Sequence, residues 1–190
     1  MELRYPYSAK IDLASNALSL GGVIAYPTEA VWGLGCDPHN TKAIERLLSI
    51  KARSAAKGLI LVASCIEQLA PYLEGIDTSA RSKLQASWPG PVTWLVPDNG
   101  CAHPLVRGDF QTVALRVSAH PLVAALCSAF GGPIVSTSAN ISGEPTLSWP
   151  WQINRQLGRQ LDFLLSGDLG LADSPSEIRD LLSGQVLRPA

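Results

Sequence analysis

The sequence predicts an α/β protein, because short apolar strand candidates alternate with amphipathic helix candidates along the chain. The strand candidates are VIAYP, LILVA, VTWLV, TVALRV and PIVSTS. LILVA is apolar at every position, which is typical of a strand buried on both faces. The chain has 190 residues, 46% of them hydrophobic, which is enough for one good core. We therefore expect a single domain over residues 1–190.

The first half of the chain contains two helix candidates with recognisable ends. The first has its apolar residues at helical spacing, at Leu13, Ala14, Ala17 and Leu18. Gly21-Gly22 should end this helix before the strand VIAYP. The second can be capped by Asn40 or Thr41, and its apolar stripe contains Ile44, Leu47 and Leu48. Together these segments predict helix, strand and helix before LILVA.

The second half continues the alternation. Pro121 opens the helix candidate PLVAALCSAF, and Gly131-Gly132 follows it. PIVSTS then reads as a strand that enters a polar loop. Within TVALRV the side chains alternate between faces, so Arg116 lies opposite Val113, Leu115 and Val117. Arg116 is therefore free to face a cleft.

Composition argues against several classes of protein. The longest apolar runs, such as LILVA and PLVAAL, fall far short of the roughly 18 residues that a spanning helix needs. The start MELRYPYSAKIDLAS lacks the apolar core of a leader peptide, so we expect a cytoplasmic location without membrane association. Neither the histidines nor the cysteines show metal-ligand spacing, so we expect free buried thiols and no protein-ligated metal. They are His39, His103, His120, Cys36, Cys65, Cys101 and Cys127.

Positive charge concentrates in one segment of a chain whose net charge is only −1. Residues 42–57 hold five cations against Glu45 alone. Lys51 shares the apolar face of the second helix, where a lysine is unexpected unless it emerges at the rim of a cleft. Arg53 and Lys57 flank the small residues 54–56 and could clamp phosphates. The alternative is a solvated helix face whose cations interact favourably with the negative C-terminal end of the helix dipole.

Familiar catalytic signatures are missing, and one polar loop stands out. The sequence has no P-loop and no GxSxG, and Gly33-Leu34-Gly35 lacks the third glycine of a dinucleotide fingerprint. The stretch STSANISG, residues 136–143, offers hydroxyl and amide groups directly after an apolar strand, where open α/β sheets bind ligands. It could equally be a turn that satisfies its own backbone.

Six motifs in order give the chain a resemblance that covers nearly its whole length. They are YPTEAVWGLGCD, KARSAAKGLIL, WPGPVTW, LRVSAHP, STSANISG and PSEIRD. This set resembles the YrdC-like family of threonylcarbamoyl-AMP synthases, most closely the short single-domain bacterial form. The resemblance implies a YrdC-like fold: a single-domain, open, twisted, mixed β-sheet with flanking helices.

The resemblance also implies a function. Family members are nucleotidyltransferases that join L-threonine, bicarbonate or CO₂, and ATP into L-threonylcarbamoyladenylate and release pyrophosphate. ATP is a substrate that arrives with Mg²⁺, and no structural metal is implied. The product would pass to a downstream complex that transfers threonylcarbamoyl to tRNA. A carbamate oxygen of the substrate would be the nucleophile, which agrees with the missing catalytic signatures.

Site residues follow from the family motifs, position by position. Lys51 and Arg53 would be catalytic. The residues that resemble nucleotide contacts are Lys51, Arg53, Lys57, Ser138, Asn140 and Arg188, and those that resemble threonine contacts are Thr28, Arg116 and Ser176. For Thr28 and Ser176, turn formation beside Pro27 and Pro175 is an alternative role. The chain departs from the pattern of the family at Ala30, Val62 and PSEIRD. The assignment of family residues to this chain is therefore better supported for the nucleotide half of the site than for the threonine half.

Two other functions and two structural roles are also considered. An RNA-binding module could place Lys42, Arg46, Lys51 and Arg53 on phosphates across a cationic concave surface, with tRNA as a possible partner. Carbamoyl-adenylate chemistry of hydrogenase maturation uses such a domain within a much longer chain. The two tryptophans of WPGPVTW are expected in the core rather than stacked on a base. Gly33 and Gly35 are expected to allow a close backbone approach.

Overall fold

The structure is a computed structural model that describes residues 7–189. Residues 1–6 and Ala190 lie outside the described residues. Residues 1–6 include the start of the segment MELRYPYSAKIDLAS, on which the expectation about a leader peptide rests. The α-helices are α1 (Tyr7–Ser19), α2 (Thr41–Ile50), α3 (Thr78–Ser87), α4 (Pro104–Arg107), α5 (Pro121–Phe130) and α6 (Pro150–Leu157). The 3₁₀ helices are Ala55–Lys57, Ile66–Leu73 and Gly158–Gln160. The strands are β1 (Ile24–Pro27), β2 (Trp32–Gly35), β3 (Ile60–Ala63), β4 (Val92–Pro97), β5 (Thr112–Val117), β6 (Ile134–Ser138), β7 (Phe163–Leu164), β8 (Glu177–Asp180) and β9 (Val186–Arg188).

All nine strands of the described residues form one open, mixed sheet in the order β7-β1-β2-β6-β3-β5-β4-β8-β9. The pairs β1/β7, β3/β5 and β4/β8 are parallel, and the other neighbours are antiparallel. The sheet does not close, since β7 and β9 are its two edges. The predicted α/β class with an open mixed sheet is confirmed.

The strands and helices that the sequence predicted are all present. The five apolar runs became β1, β3, β4, β5 and β6, and the three helix candidates became α1, α2 and α5. Asn40 caps α2, because its Oδ1 accepts the backbone N–H of Ala43 at 3.1 Å. The sequence reading did not assign β2, β7, β8, β9, α3, α4 or α6.

The sheet has one fully covered face and one that is covered only in part. Leu61, Leu115 and Val135 lie in the larger core with α2 and α3. On the opposite face, α1 and α5 pack in a second cluster with Ile24 and Val62. Val62 also lines a cavity beside that cluster. Beside α5, whose Val123 also lines this cavity, the sheet forms its floor.

Two glycines of β2 are explained by their neighbours. A Cβ on Gly35 would lie 2.6 Å from the carbonyl oxygen of Val135 and 2.8 Å from Cε1 of Tyr26. A Cβ on Gly33 would lie 3.2 Å from Cγ2 of Thr28, and Gly33 also lines the cavity. At both glycines the close neighbours are groups of the protein itself, and a close approach of the backbone beneath a ligand stays a prediction.

The structure also tests the expectations about the tryptophans, the cysteines and membrane-spanning helices. Trp88 and Trp94 are buried, as predicted. All four cysteines are free and Cys36 and Cys127 are buried, but Cys65 is only partly buried and Cys101 is exposed, so the expectation of buried thiols is wrong for these last two residues. Cys101 follows the turn after β4, where the chain lies at the surface. Within residues 7–189 no helix combines the length and apolar character needed to cross a bilayer.

Candidate active site

A cavity of about 490 Å³ lies on the partly covered face of the sheet, within the usual size range of ligand pockets. Its floor comes from alternate residues of three adjacent strands, which is why they share one face. Ile60 of β3 lies between Ser136 of β6 and Ala114 of β5 in the strand register. The same faces supply Arg116 and Ser138. The sheet thus places polar and charged groups at both ends of an apolar floor.

The lining of the cavity is strongly cationic. Five cations line it, against the one carboxylate found there among the described residues, that of Glu29. The five are Arg53, Lys57, Arg107, Arg116 and Arg188. Since the whole chain has a net charge of −1, this charge is local rather than global. Such a cavity favours an anionic ligand with several charges.

Arg53 is held at the cavity wall by the turn that follows α2. Its Nη2 donates to the carbonyl oxygens of Gly58 at 3.0 Å and Lys57 at 3.3 Å. Ser54 caps the short helix between them, with its Oγ accepting the N–H of Ala56 at 3.3 Å. The Nε of Arg53 is buried without a partner among the described residues. Burial lowers the pKa of the guanidinium, which still stays protonated in proteins.

Lys51 is buried and joins α2 to the loop after β6. Its Nζ donates to the carbonyl oxygen of Ser138 and, at 2.8 Å, to that of Asn140. The Oγ of Ser138 donates to Oδ1 of Asn140 at 2.6 Å. Lys51 is only 2% exposed, so it does not emerge at a cleft rim. Burial, followed by repulsion from Arg53, lowers the pKa of Lys51 to about 8.

The three residues predicted around threonine all line the cavity. Thr28 Oγ1 donates to the carbonyl oxygen of Val31 at 2.6 Å, so it also forms the turn that the alternative role predicted. The hydroxyl of Ser176 is 2.8 Å from that of Thr93. Arg188 donates to the carbonyl oxygen of Ser176 at 2.5 Å, which ties β9 to this wall.

Arg116 is paired with a residue that the sequence reasoning missed. Its Nη2 lies 2.9 Å from Oε1 of Glu29, and its Nε donates to the carbonyl oxygen of Gly90 at 3.0 Å. Burial tends to raise the pKa of Glu29, but Arg116 and the hydroxyl of Ser118 outweigh it, so the pKa is lowered. Glu29 is the only charged residue between positions 23 and 36, and that isolation was the available signal.

The cavity therefore brings together most of the predicted site residues. Arg53, Lys57, Ser138 and Arg188 line it with Thr28, Arg116 and Ser176. Lys51 and Asn140 are not among its lining residues. Both form hydrogen bonds with Ser138, which does line the cavity. Ala30 and Val62, the departures from the family pattern, line the cavity as well. The sequence reasoning missed Glu29 and Arg107 as lining residues.

The cations of the RNA-binding alternative are not presented together. Lys42 is exposed on α2, while Lys51 is buried and Arg53 lies in the cavity. Arg46 pairs with Asp162 at 2.6 Å and donates to the carbonyl oxygen of Gln160 at 2.6 Å. These four side chains therefore do not form one continuous surface for a phosphate backbone.

A family model for Sua5, YciO and YrdC, described as telomere recombination, matches residues 16–190. Curated relatives cover nearly the whole chain. A threonylcarbamoyl-AMP synthase of Cellvibrio japonicus is 51% identical over 181 residues, which is 95% of this chain and 96% of that protein. A threonylcarbamoyl-AMP synthase of Chromohalobacter salexigens is 55% identical over 179 residues, 94% of this chain and 96% of that protein. The chain belongs to the Sua5/YciO/YrdC family.

Solved structures agree with this fold. P. abyssi Sua5 complexed with L-threonine superposes with a TM-score of 0.88 at 29% identity, covering 95% of this chain and 54% of that chain. E. coli YciO superposes with a TM-score of 0.85 at 28% identity, covering 97% of this chain and 90% of that chain. T. kodakarensis HypF is 17% identical with a TM-score of 0.79, and this chain covers 24% of it, so that likeness shows the fold alone.

Proposed function

We propose that this protein is a threonylcarbamoyl-AMP synthase, a nucleotidyltransferase that forms L-threonylcarbamoyladenylate and pyrophosphate from L-threonine, bicarbonate and ATP. One observation carries the proposal: a cavity with five cations occurs in a chain that is about half identical, over nearly its full length, to proteins of that name. ATP supplies the multiply charged anion for which the lining is suited.

The nucleotide end is proposed at Arg53, Lys57, Arg188 and Ser138. Arg53 offers a planar fork for phosphate oxygens, and Lys57 offers a mobile point charge. Lys51 donates to the backbone carbonyls of Ser138 and Asn140, and the side-chain oxygen of Asn140 accepts the Ser138 hydroxyl, so both residues position this end of the site. Direct contact of Lys51 or Asn140 with the nucleotide stays a prediction of the sequence.

The chemistry needs no nucleophile from the protein. The ammonium of threonine loses a proton to solvent, the neutral amine condenses with bicarbonate to give a carbamate and water, and a carbamate oxygen attacks the α-phosphorus of ATP. Pyrophosphate leaves as the new oxygen–phosphorus bond forms. The protein contributes by placing three reactants together and by stabilising the charge on the phosphates, which Arg53 and its neighbours can do.

The threonine end is proposed at Thr28, Arg116 and Ser176, which line the cavity together. Arg116 would bind the substrate carboxylate, with its orientation fixed by Glu29 and Gly90. Val62 lies beside Arg116 in the strand register, so an apolar surface adjoins the carboxylate position. The methyl group of threonine is suited to such a surface.

Several further assignments complete the proposal. Mg²⁺ would come with the phosphates of ATP and keep most of its water, as this ion usually does at nucleotide sites. The reaction would take place in the cytoplasm. The adenylate would pass, free or channelled, to a separate complex that modifies tRNA. If the purified protein alone transferred threonylcarbamoyl to tRNA, this division of labour would be wrong.

The direct test is an incubation with ATP, threonine and bicarbonate, measured by pyrophosphate release and by the appearance of the adenylate. Pyrophosphate should require threonine and bicarbonate together, because the carbamate attacks the nucleotide. Equal ATP turnover with both omitted would refute the proposal and indicate an ordinary nucleotidase.

A further inference from the structure

The two carboxylate oxygens of Glu29 have different surroundings. Oε1 accepts the hydroxyl of Ser118 at 2.6 Å and the backbone N–H groups of Ala119 at 3.0 Å and His120 at 3.3 Å, besides the contact with Arg116. None of the described residues donates to Oε2. The side chain lines the cavity and stays 17% exposed, so Oε2 is the oxygen left for a ligand.

The positive charge of the cavity makes this carboxylate oxygen the expected partner of a cationic group on a ligand. An amino acid carries an ammonium group as well as a carboxylate, and the five lining cations would repel the ammonium. Glu29 provides the one carboxylate that lines the cavity within residues 7–189. Because Arg116 bonds Oε1 of the same group, a carboxylate on Arg116 and an ammonium on Oε2 would be neighbours, as they are in an α-amino acid.

We propose that Oε2 of Glu29 accepts a hydrogen bond from the α-ammonium of threonine and thereby selects an α-amino acid. The assignment rests on the proposed function and adds a specificity-determining residue to it. By fixing the nitrogen beside the carboxylate fork, Glu29 would aim the amine that becomes the carbamate. The rest of the carboxylate holds the turn of residues 118–120, so the acceptor is already oriented before substrate binds.

Glu29→Gln tests the assignment with little change of shape. The amide oxygen can keep the Oε1 contacts, while the amide NH₂ replaces Oε2 and turns an acceptor into a donor. The probe pair is L-threonine and 2,3-dihydroxybutanoate of matching configuration, in which a hydroxyl replaces the ammonium. Calorimetric binding of both compounds should show that the wild type prefers threonine at least tenfold, and that Glu29→Gln loses most of this preference.

The control is Glu45→Gln, which removes the same charge from an exposed position on α2 and should leave the preference unchanged. An equal loss of affinity for both compounds in Glu29→Gln would overturn the assignment and leave Glu29 a purely structural residue. If that variant fails to fold, equal binding of the two compounds by the wild type overturns it as well. Wild-type protein that binds neither compound and makes no adenylate would instead contradict the proposed function itself.

Discussion

At the scale of single residues, a comparison of Arg53 with Arg46 tests whether the position of a positive charge matters more than its presence. Both follow from the same cationic segment, but Arg53 lines the cavity and Arg46 is tied to Asp162 at the surface. A charge-assisted hydrogen bond contributes about 1.5–3 kcal/mol, and roughly 1.4 kcal/mol changes a constant tenfold. The structure thus gives the two arginines different expected roles.

We predict that Arg53→Ala lowers adenylate formation at least tenfold, since the phosphates lose a charged donor. Arg53→Lys should also impair activity, because it keeps the charge and loses the planar fork. The matched control, Arg46→Ala, should leave activity nearly unchanged and cost at most about 1 kcal/mol of stability, because its ion pair is solvent-exposed. Rates of adenylate formation and thermal unfolding midpoints, measured in parallel for the three variants, test this prediction. Equal loss of activity in both alanine variants would favour a diffuse electrostatic patch.

Lys51 gives a prediction about pH. Its pKa is lowered to about 8 in the folded protein from 10.5. Between these values the unfolded chain holds a proton that the folded protein has released, so stability should rise with pH in this window. Relative to Lys51→Met, the free energy of unfolding of the wild type should increase by roughly 1.5 kcal/mol between about pH 8 and pH 9.5. Urea titrations at both pH values measure it, and a constant difference would show that Lys51 keeps an ordinary pKa.

At the scale of elements, one half of the sheet depends on the contact between β1, β2 and β6. Gly35 faces the ring of Tyr26 on one strand and the carbonyl of Val135 on the other. A side chain there must displace backbone or a buried aromatic ring, because protein interiors are close-packed. This packing also supports the polar residues that β6 carries into the cavity.

Gly35→Ala should therefore destabilise the protein by about 1–3 kcal/mol, the usual cost of overpacking. Gly132→Ala is the matched control, since a Cβ at that position meets nothing within 4 Å, and it should change stability by less than about 0.5 kcal/mol. Denaturant unfolding of both variants gives the comparison. A Gly35→Ala protein as stable as the control would mean that the two flanking strands separate easily.

At the scale of the whole molecule, a chain of net charge −1 concentrates five cations in one cavity. Local charge of this kind should make nucleotide binding sensitive to salt, because exposed charges are screened within roughly 10 Å at 0.1 M ionic strength. We predict that the KM for ATP rises several-fold from low to high ionic strength, and that the KM for the zwitterion threonine changes less. Steady-state kinetics at several salt concentrations test this, and an equal rise for both substrates would argue against a phosphate site.

The distribution of charge also bears on RNA binding. Because Lys51 is buried, Arg53 lines the cavity and Arg46 is paired with Asp162, tRNA should bind no more tightly than the roughly 1 μM limit of non-specific association at physiological salt. Filter binding or fluorescence titration of tRNA measures the affinity directly. A much tighter complex would revive the alternative.

The sequence by itself determined the α/β class, five of the nine strands of the described residues, three helices and the family motifs. Apolar runs and caps are local signals, so LILVA and Asn40 could be interpreted without knowing their neighbours. The shorter strands β2, β7, β8 and β9 carry little periodicity, and pairing with distant segments defines them instead.

Only the tertiary structure decided which charges meet. Lys51 and Arg53 are two positions apart, yet one is buried against carbonyls from residues 138 and 140 and the other lines the cavity. Glu29 and Arg116 are distant in sequence and share one ion pair. The physical reason is that burial and electrostatic pairing depend on the strand order, which places residues from remote segments side by side on one sheet face.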